Sequence, residues 1–236
     1  MAIKAVLFDL DGTLLPMDQE VFVKAYFKGI STKLAAFGYD PNQLIKVIWG
    51  GTEVMIKNDG KKTNENVFWD FFSSVYGESA RKHEPIFEEF YKNEFSQVQK
   101  VCQRDENSYK IVHKLKDNGI RVVLATNPIF PDIATQSRIR WAGLEPEDFE
   151  FYTTYENIGY SKPNPKYYLE IVKRLGLQPQ ECLMVGNDVS DDMVAREIGM
   201  NVFLLTDNLI NKENVDISNF PNGDFEDLFN FINGSI

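Results

Sequence analysis

FDLDGTL, residues 8–14, closes a short apolar run, residues 3–8, with two carboxylates, Asp9 and Asp11, one position apart. An almost unbroken apolar run of this length reads as a strand covered on both faces, the kind found in a parallel sheet. Two acids placed where such a strand leaves the core repel each other unless positive charge stands close by. The stretch therefore points to a fold class and to a place where chemistry is expected.

Runs of the same kind follow at residues 120–125, 149–153, 182–185 and 201–205. Helical patterns lie between them. Residues 108–118 stop at Gly119, 133–142 at Gly143, and 191–198 at Gly199; residues 165–175 open on a proline and stop at Gly176. Glycine just past a helix and proline in its first turn are the expected punctuation. Strand and helix in alternation read as an α/β fold, a doubly wound parallel sheet.

Residues 16–101 break the rhythm, with helical patterns and no convincing strand. Residues 20–37 are closed by Gly38, and Asp40-Pro41 opens the next helix. Residues 64–76 carry Phe68, Phe71 and Phe72 at helical spacing, and residues 84–95 carry Phe87, Phe90 and Phe95. Such aromatic stripes read as helix-packing core. Trp49-Gly50-Gly51 reads either as a flexible segment facing a cleft or as a helix interruption. The expected division is residues 1–15 plus 102–236 as an α/β catalytic core, with residues 16–101 inserted as an all-helical cap. Two linkers between such units let a cleft open and close.

In open parallel sheets ligands bind beyond the carboxyl ends of the strands. Asp9 and Asp11 follow the first run, and Thr126-Asn127 the second. Ser161-Lys162-Pro163 comes several residues after the third, and Gly186-Asn187-Asp188 with Asp192 follows the fourth. All would gather at one edge. Asp9, Asp11 and Asp188 make a dense anionic site that calls for a cation, and hard oxygen ligands suit Mg²⁺. Lys162 adds positive charge, while Thr126 and nearby backbone N–H groups can donate to phosphoryl oxygens. Phosphoryl transfer needs this positioning and charge stabilisation. One carboxylate can attack, and a second can protonate the leaving oxygen and later activate water.

These four clusters, in this order and spacing, resemble the motifs of the haloacid dehalogenase-like (HAD) hydrolase superfamily over about residues 1–207, and the helical insert resembles its cap. The resemblance implies a Rossmann-like core and a Mg²⁺-dependent phosphatase, a phosphoric monoester hydrolase. Its substrate would be a small phosphorylated metabolite, cleaved through an aspartyl-phosphate. It implies that Asp9 is nucleophile and metal ligand, and that Asp11 is the general acid/base, its backbone carbonyl also reaching the metal. Thr126 and the backbone at Asn127 would bind the phosphoryl group, Lys162 would neutralise its charge, and Asp188 would be the acidic metal ligand. Many relatives carry Asp directly after the glycine, where this chain has Asn187. Asn187 is therefore expected as a neutral ligand or supporting group, and Asp192 as the partner of Lys162 or of a metal-bound water. A sugar-phosphate mutase of the same chemistry is an alternative. So is a phosphonate hydrolase using Lys57 as its amine, and so is a binding protein without catalysis.

The bulk numbers agree. A chain of 236 residues, 43% hydrophobic, suits one large domain or a core with a smaller partner domain. A formal charge of −10 lacks the basic footprint of a nucleic-acid binder. No run approaches the length of a membrane span, and no secretion signal is read at the start. Cys102 and Cys182 are not paired by any motif, and Cys182 reads as a buried thiol, so a cytoplasmic setting is expected. Asn233-Gly-Ser235 matches a glycosylation acceptor and is read as chance. Asp191 reads as a solvated acid at a helix start, and His83 and His113 read as surface residues. No residue pattern names the substrate or the oligomeric state.

Overall fold

The protein is described by a computed structural model covering residues 2–234; Ser235 of the glycosylation match lies outside the described residues. The first apolar run forms β1 (Ala5–Phe8), buried along its whole length. It pairs in parallel with β2 (Arg121–Leu124) on one side and β3 (Cys182–Gly186) on the other. With β4 (Asn201–Leu205) and β5 (Asn222–Gly223) the sheet order is β2-β1-β3-β4-β5. Phe8 stands opposite both Leu124 and Val185, so the three central strands end level and their following loops meet. That register, with β1 between strands that come later in the chain, creates the crevice of a doubly wound sheet.

Both faces are covered, which is why the strands read as apolar runs. One face packs on α5 (Glu106–Asp117), α6 (Asp132–Trp141) and α8 (Phe225–Asn233), through residues such as Ile111, Ile139 and Leu228. The other packs on α7 (Pro165–Leu175), through Tyr167, Ile171 and Leu175. Cys182 is among the buried residues, as expected.

Two expectations are corrected, and the end of the chain adds elements that were not read. Residues 149–153 do not form a regular strand. They run along the outer edge of β2, tied by Glu150 N–H to Val122 (2.8 Å), Leu124 N–H to Phe151 (3.2 Å) and Thr153 N–H to Leu124 (3.1 Å), with one isolated bridge. The helix expected at 191–198 is a tighter 3₁₀ turn, Met193–Ile198. Just before it, Asp192 is tied back into the loop, its Oδ2 accepting from Asp188 N–H at 3.0 Å. Beyond residue 207 the chain adds β5 and α8, the helix capped by Asp224.

The insert is all-helical: α1 (Gln19–Ala35), α2 (Pro41–Ile56), α3 (Asn64–Tyr76) and α4 (Glu84–Lys92). Asp18, Asp40 and Thr63 cap the first three through their side chains. The helix expected over 84–95 ends early and continues as the 3₁₀ helix Glu94–Val101. The chain leaves and returns side by side, with Met17 bridged to Cys102 and Gln103 N–H donating to Pro16 at 2.8 Å. One apolar cluster runs from Phe8 and Leu14 under the sheet into Phe22, Phe68 and Phe95 of the insert. Asn64, fully buried, fastens the start of α3 to the core: its Nδ2 donates to Pro128 O at 3.0 Å and Ser161 Oγ at 2.9 Å.

The helix-interruption reading of Trp49-Gly50-Gly51 fails, because α2 runs through it unbroken, while its place at the cleft holds, since Trp49 lines the cavity between core and insert. The glycines are contact points. A Cβ at Gly51 would lie 2.5 Å from the Phe68 ring, which stacks on Phe72 at 5.8 Å and meets Trp69 edge-on at 5.4 Å. Glycine in mid-helix usually costs about 1 kcal/mol against alanine. Here Gly51→Ala is expected to lower stability, by about 1–3 kcal/mol for overpacking. Urea denaturation measures it, and an unchanged or raised midpoint would mean that α2 and α3 can part to admit a methyl.

Candidate active site

Because β1, β2 and β3 end together, the loops after them share one cavity of about 320 Å³ between core and insert. All eight residues expected at the site line it: Asp9, Asp11, Thr126, Asn127, Lys162, Asn187, Asp188 and Asp192. Lys57 does not; it pairs with Glu53 on the surface at 2.5 Å. His83 and His113 are also outside it, bonded to Tyr39 and to the Tyr109 carbonyl.

Lys162 is the centre of charge. It is only 1% exposed, and its ammonium donates to Asp9 Oδ1 at 2.8 Å and Asp192 Oδ1 at 2.6 Å. Burial alone would push its pKa down, but Asp192 and Asp9 outweigh burial and hold it well above the ordinary lysine value. It stays charged. Asp192, expected as a partner of Lys162, takes that place, and burial pushes its carboxyl upward against the pull of the ammonium.

Thr126 follows β2, and its carbonyl is held from two sides, by Tyr167 Oη at 2.8 Å and Thr153 Oγ1 at 2.7 Å. Those bonds fix the backbone at Thr126 and Asn127. Asn127 Nδ2 reaches Asp191 at 3.3 Å, while its Oδ1 is buried without a partner. Asp191 is not the solvated acid expected: it is partly buried on the cavity wall, and burial raises its pKa to about 6.

The two acids of the opening stretch have separate environments. Asp9 accepts from Lys162 and, through Oδ2, from Thr13 Oγ1 at 3.3 Å. Asp11 turns the other way. Its Oδ2 is bound by the guanidinium of Arg138, a residue of α6 with no exposed surface. That guanidinium also lies over the Phe130 ring, 4.4 Å from its centre. Asp11 Oδ1 is buried without a partner, on a residue that lines the cavity. Burial raises the Asp11 pKa; Arg138 pulls it down, Asp9 pushes it up and Lys162 lowers it.

Among the described residues no three Asp, Glu, His or Cys side chains form a ready cation cage. Asp188 Oδ1 accepts from the N–H groups of Ser190 and Asp191, at 2.8 and 3.0 Å, which ties it to its own loop. The residue drawn up to Asp9 is Asn187. Its Nδ2 donates to Asn208 O at 2.7 Å, so its Oδ1 faces Thr13, which donates to it at 3.1 Å. Thr13 has one hydroxyl proton for two acceptors, Asp9 Oδ2 and Asn187 Oδ1. One oxygen of the pair is always left unsatisfied. This donor set, hard oxygens and short of positive partners, fits a divalent cation. Gly12 makes room for it: its φ is +86°, and a Cβ there would meet Asn187 Nδ2 at 2.4 Å.

Arg138, Thr13, Tyr167 and Thr153 were not singled out from sequence. Arg138 sits in Ser-Arg-Ile-Arg on a largely polar helix, where arginines read as surface; only its burial under Phe130 distinguishes it.

A sequence model described as haloacid dehalogenase-like hydrolase matches residues 3–199. The chain is similar to pyrophosphatase PpaX of Bacillus cereus (strain AH820), 25% identical over 199 residues that cover 84% of this chain and 81% of that protein. It is also similar to a phosphoglycolate phosphatase of Nitrosospira multiformis, 26% identical, covering 86% and 83%. In structure it resembles a HAD phosphatase from Thermococcus onnurineus, with a TM-score of 0.61 at 22% identity over 99% of both chains.

Removing one member of a buried ion pair strands the other. Arg138→Met is expected to cost about 3–5 kcal/mol, and the double variant Asp11→Leu/Arg138→Met to recover much of that loss. Urea denaturation of the three variants measures both. A loss below about 1 kcal/mol for the single change would mean that water already screens the pair.

Proposed function

The chain belongs to the haloacid dehalogenase-like hydrolases, and on that premise we propose that it is a Mg²⁺-dependent phosphatase acting through a phosphorylated Asp9. One observation carries the reading. On a single cavity wall, Asp9 is held by a buried ammonium at 2.8 Å, and two positions along stands a second carboxyl with one free, buried oxygen.

The two acids then divide the work. An Asp9 oxygen forms a bond to phosphorus as the ester oxygen leaves. Lys162, fixed by Asp192, balances the charge on Asp9 and on the phosphoryl oxygens. Asp11 Oδ1 gives a proton to the departing oxygen, while Arg138 holds the other oxygen and so the orientation of the group. In the second half Asp11 takes a proton from water, which attacks the phosphorus and frees Asp9 and inorganic phosphate. Thr126 and the backbone at Asn127 hold the phosphoryl group, their positions set by Tyr167 and Thr153.

Asp9 Oδ2, Asn187 Oδ1, the Asp11 carbonyl and, directly or through water, Asp188 would hold the metal. Bound there, Mg²⁺ supplies positive charge to the phosphoryl oxygens. The bonds that fasten α3 to the core at Asn64 hold the cap over the cavity, which supports its exclusion of water from a bound substrate. The unpaired thiols Cys102 and Cys182 support a place in the cytoplasm. Pyrophosphate and phosphoglycolate, named for the relatives, belong in a first substrate panel beside other small phosphorylated metabolites.

Purified protein with Mg²⁺ is expected to release phosphate from p-nitrophenyl phosphate, and to stop when the metal is chelated. Asp11→Asn is expected to lower kcat roughly 10²–10⁴-fold. Asp9→Asn is expected to abolish turnover and the acid-stable labelling by phosphate that marks the intermediate. Equal activity of wild type and Asp9→Asn would overturn the mechanism.

A further inference from the structure

The cavity has two unlike ends. Every charged residue that lines it, Lys212 included, belongs to the α/β core. The insert contributes none. Its lining is instead apolar and largely aromatic, with Phe22, Phe27, Trp49, Met55, Trp69 and Phe87 among it. A phosphoryl group at Asp9 points the rest of its molecule at this wall.

The wall's polar atoms are mostly engaged with each other. Tyr26 and Tyr91 share a hydroxyl–hydroxyl bond of 2.8 Å, and Thr52 Oγ1 donates to the Ile48 carbonyl at 3.0 Å. Burial raises the Tyr26 pKa to about 12, so the wall is neutral at physiological pH. Gln19 is exposed, and the Trp69 indole N–H is turned toward the Tyr155 hydroxyl. A carboxylate, a second phosphoryl group or a hydroxyl-rich sugar would lose its water here and find almost nothing to bond. An unpaired buried polar group is the strongest basis for rejecting a ligand. A flat ring meets the opposite situation, since aromatic faces and edges surround it. At about 320 Å³ the space is at the small end for ligand pockets, which suits a single ring system rather than a long chain.

From this we propose that the substrate is a phosphate monoester of a small aromatic alcohol, its ring seated against the aromatic wall of the insert and its phosphoryl group on Asp9. The inference rests on the phosphatase reading for turnover. The reaction is hydrolysis, with the ester's P–O bond cleaved, the alcohol protonated and inorganic phosphate released. The wall alone predicts binding.

The test compares esters of alkoxide leaving groups, so that leaving-group acidity does not decide the outcome. With Mg²⁺, kcat/KM for benzyl phosphate is expected to exceed that for phosphoglycolate and glucose 6-phosphate by roughly 10- to 100-fold, the worth of burying one ring. Trp49 is half-exposed, so Trp49→Ala should fold; it is expected to reduce the ratio of kcat/KM for benzyl over methyl phosphate about 10-fold. Preference for phosphoglycolate or the sugar phosphate overturns the proposal and leaves the phosphatase reading intact. If no ester is hydrolysed, the phosphatase reading fails, and binding decides this one separately. Followed by tryptophan fluorescence with Mg²⁺, benzylphosphonate is expected to bind at least about 10-fold tighter than phosphonoacetate. Equal or reversed affinities overturn the proposal.

Discussion

Lys162 is a buried ammonium, and a buried ammonium without partners is not tolerated in a protein interior. Its two carboxylates come from separate parts of the chain: Asp9 from the end of β1, Asp192 from the loop after β3. The three meet only if those strands run parallel, side by side and in register. The sheet is thus what makes the charge tolerable, and the charge in turn holds the strand ends where the cavity opens. Tyr167, Tyr168 and Thr153 extend the arrangement outward, each bonding a backbone carbonyl of a loop at the site.

A second buried cation separates the surroundings of the paired acids. If Asp9 and Asp11 shared one environment, their repulsion would blur any division between nucleophile and proton carrier. Arg138 takes one oxygen of Asp11 and Lys162 takes one of Asp9, so the two carboxyls face different partners only two residues apart. Arg138 is itself packed on Phe130, whose ring touches Phe22, Tyr26 and Phe95 of the insert. Asp11 and the helical insert are therefore parts of one packed body.

How much could be read in advance depended on how local each signal was. The apolar runs for β1, β3 and β4 were plain because a strand covered on both faces needs apolar residues throughout. Residues 149–153 carried the same composition but lie outside β2 at the margin, where the pairing stops after one bridge. Gly50 and Gly51 looked like helix breakers because local propensity penalises glycine; the rings of Phe68 and Phe71, far along the chain, occupy the space that side chains would have filled. Asp224, Phe225, Leu228 and Ile232 did carry a cap and helical spacing for α8, beyond the reach of the four motifs.

Taken alone, the sequence determined which chemistry was available and where it gathers. The acids, Thr126, Lys162 and Asn187 stand directly after core strands or just before α7, and parallel strands deliver their C-terminal loops to one edge. Tertiary structure decided the partners. It put Arg138 rather than solvent against Asp11, Asn187 rather than Asp188 beside Asp9, and an uncharged aromatic wall from the insert on the cavity that these residues line. Each of these depends on which side chains lose their water together. That is a property of packing between distant segments, and no short stretch of the chain encodes it by itself.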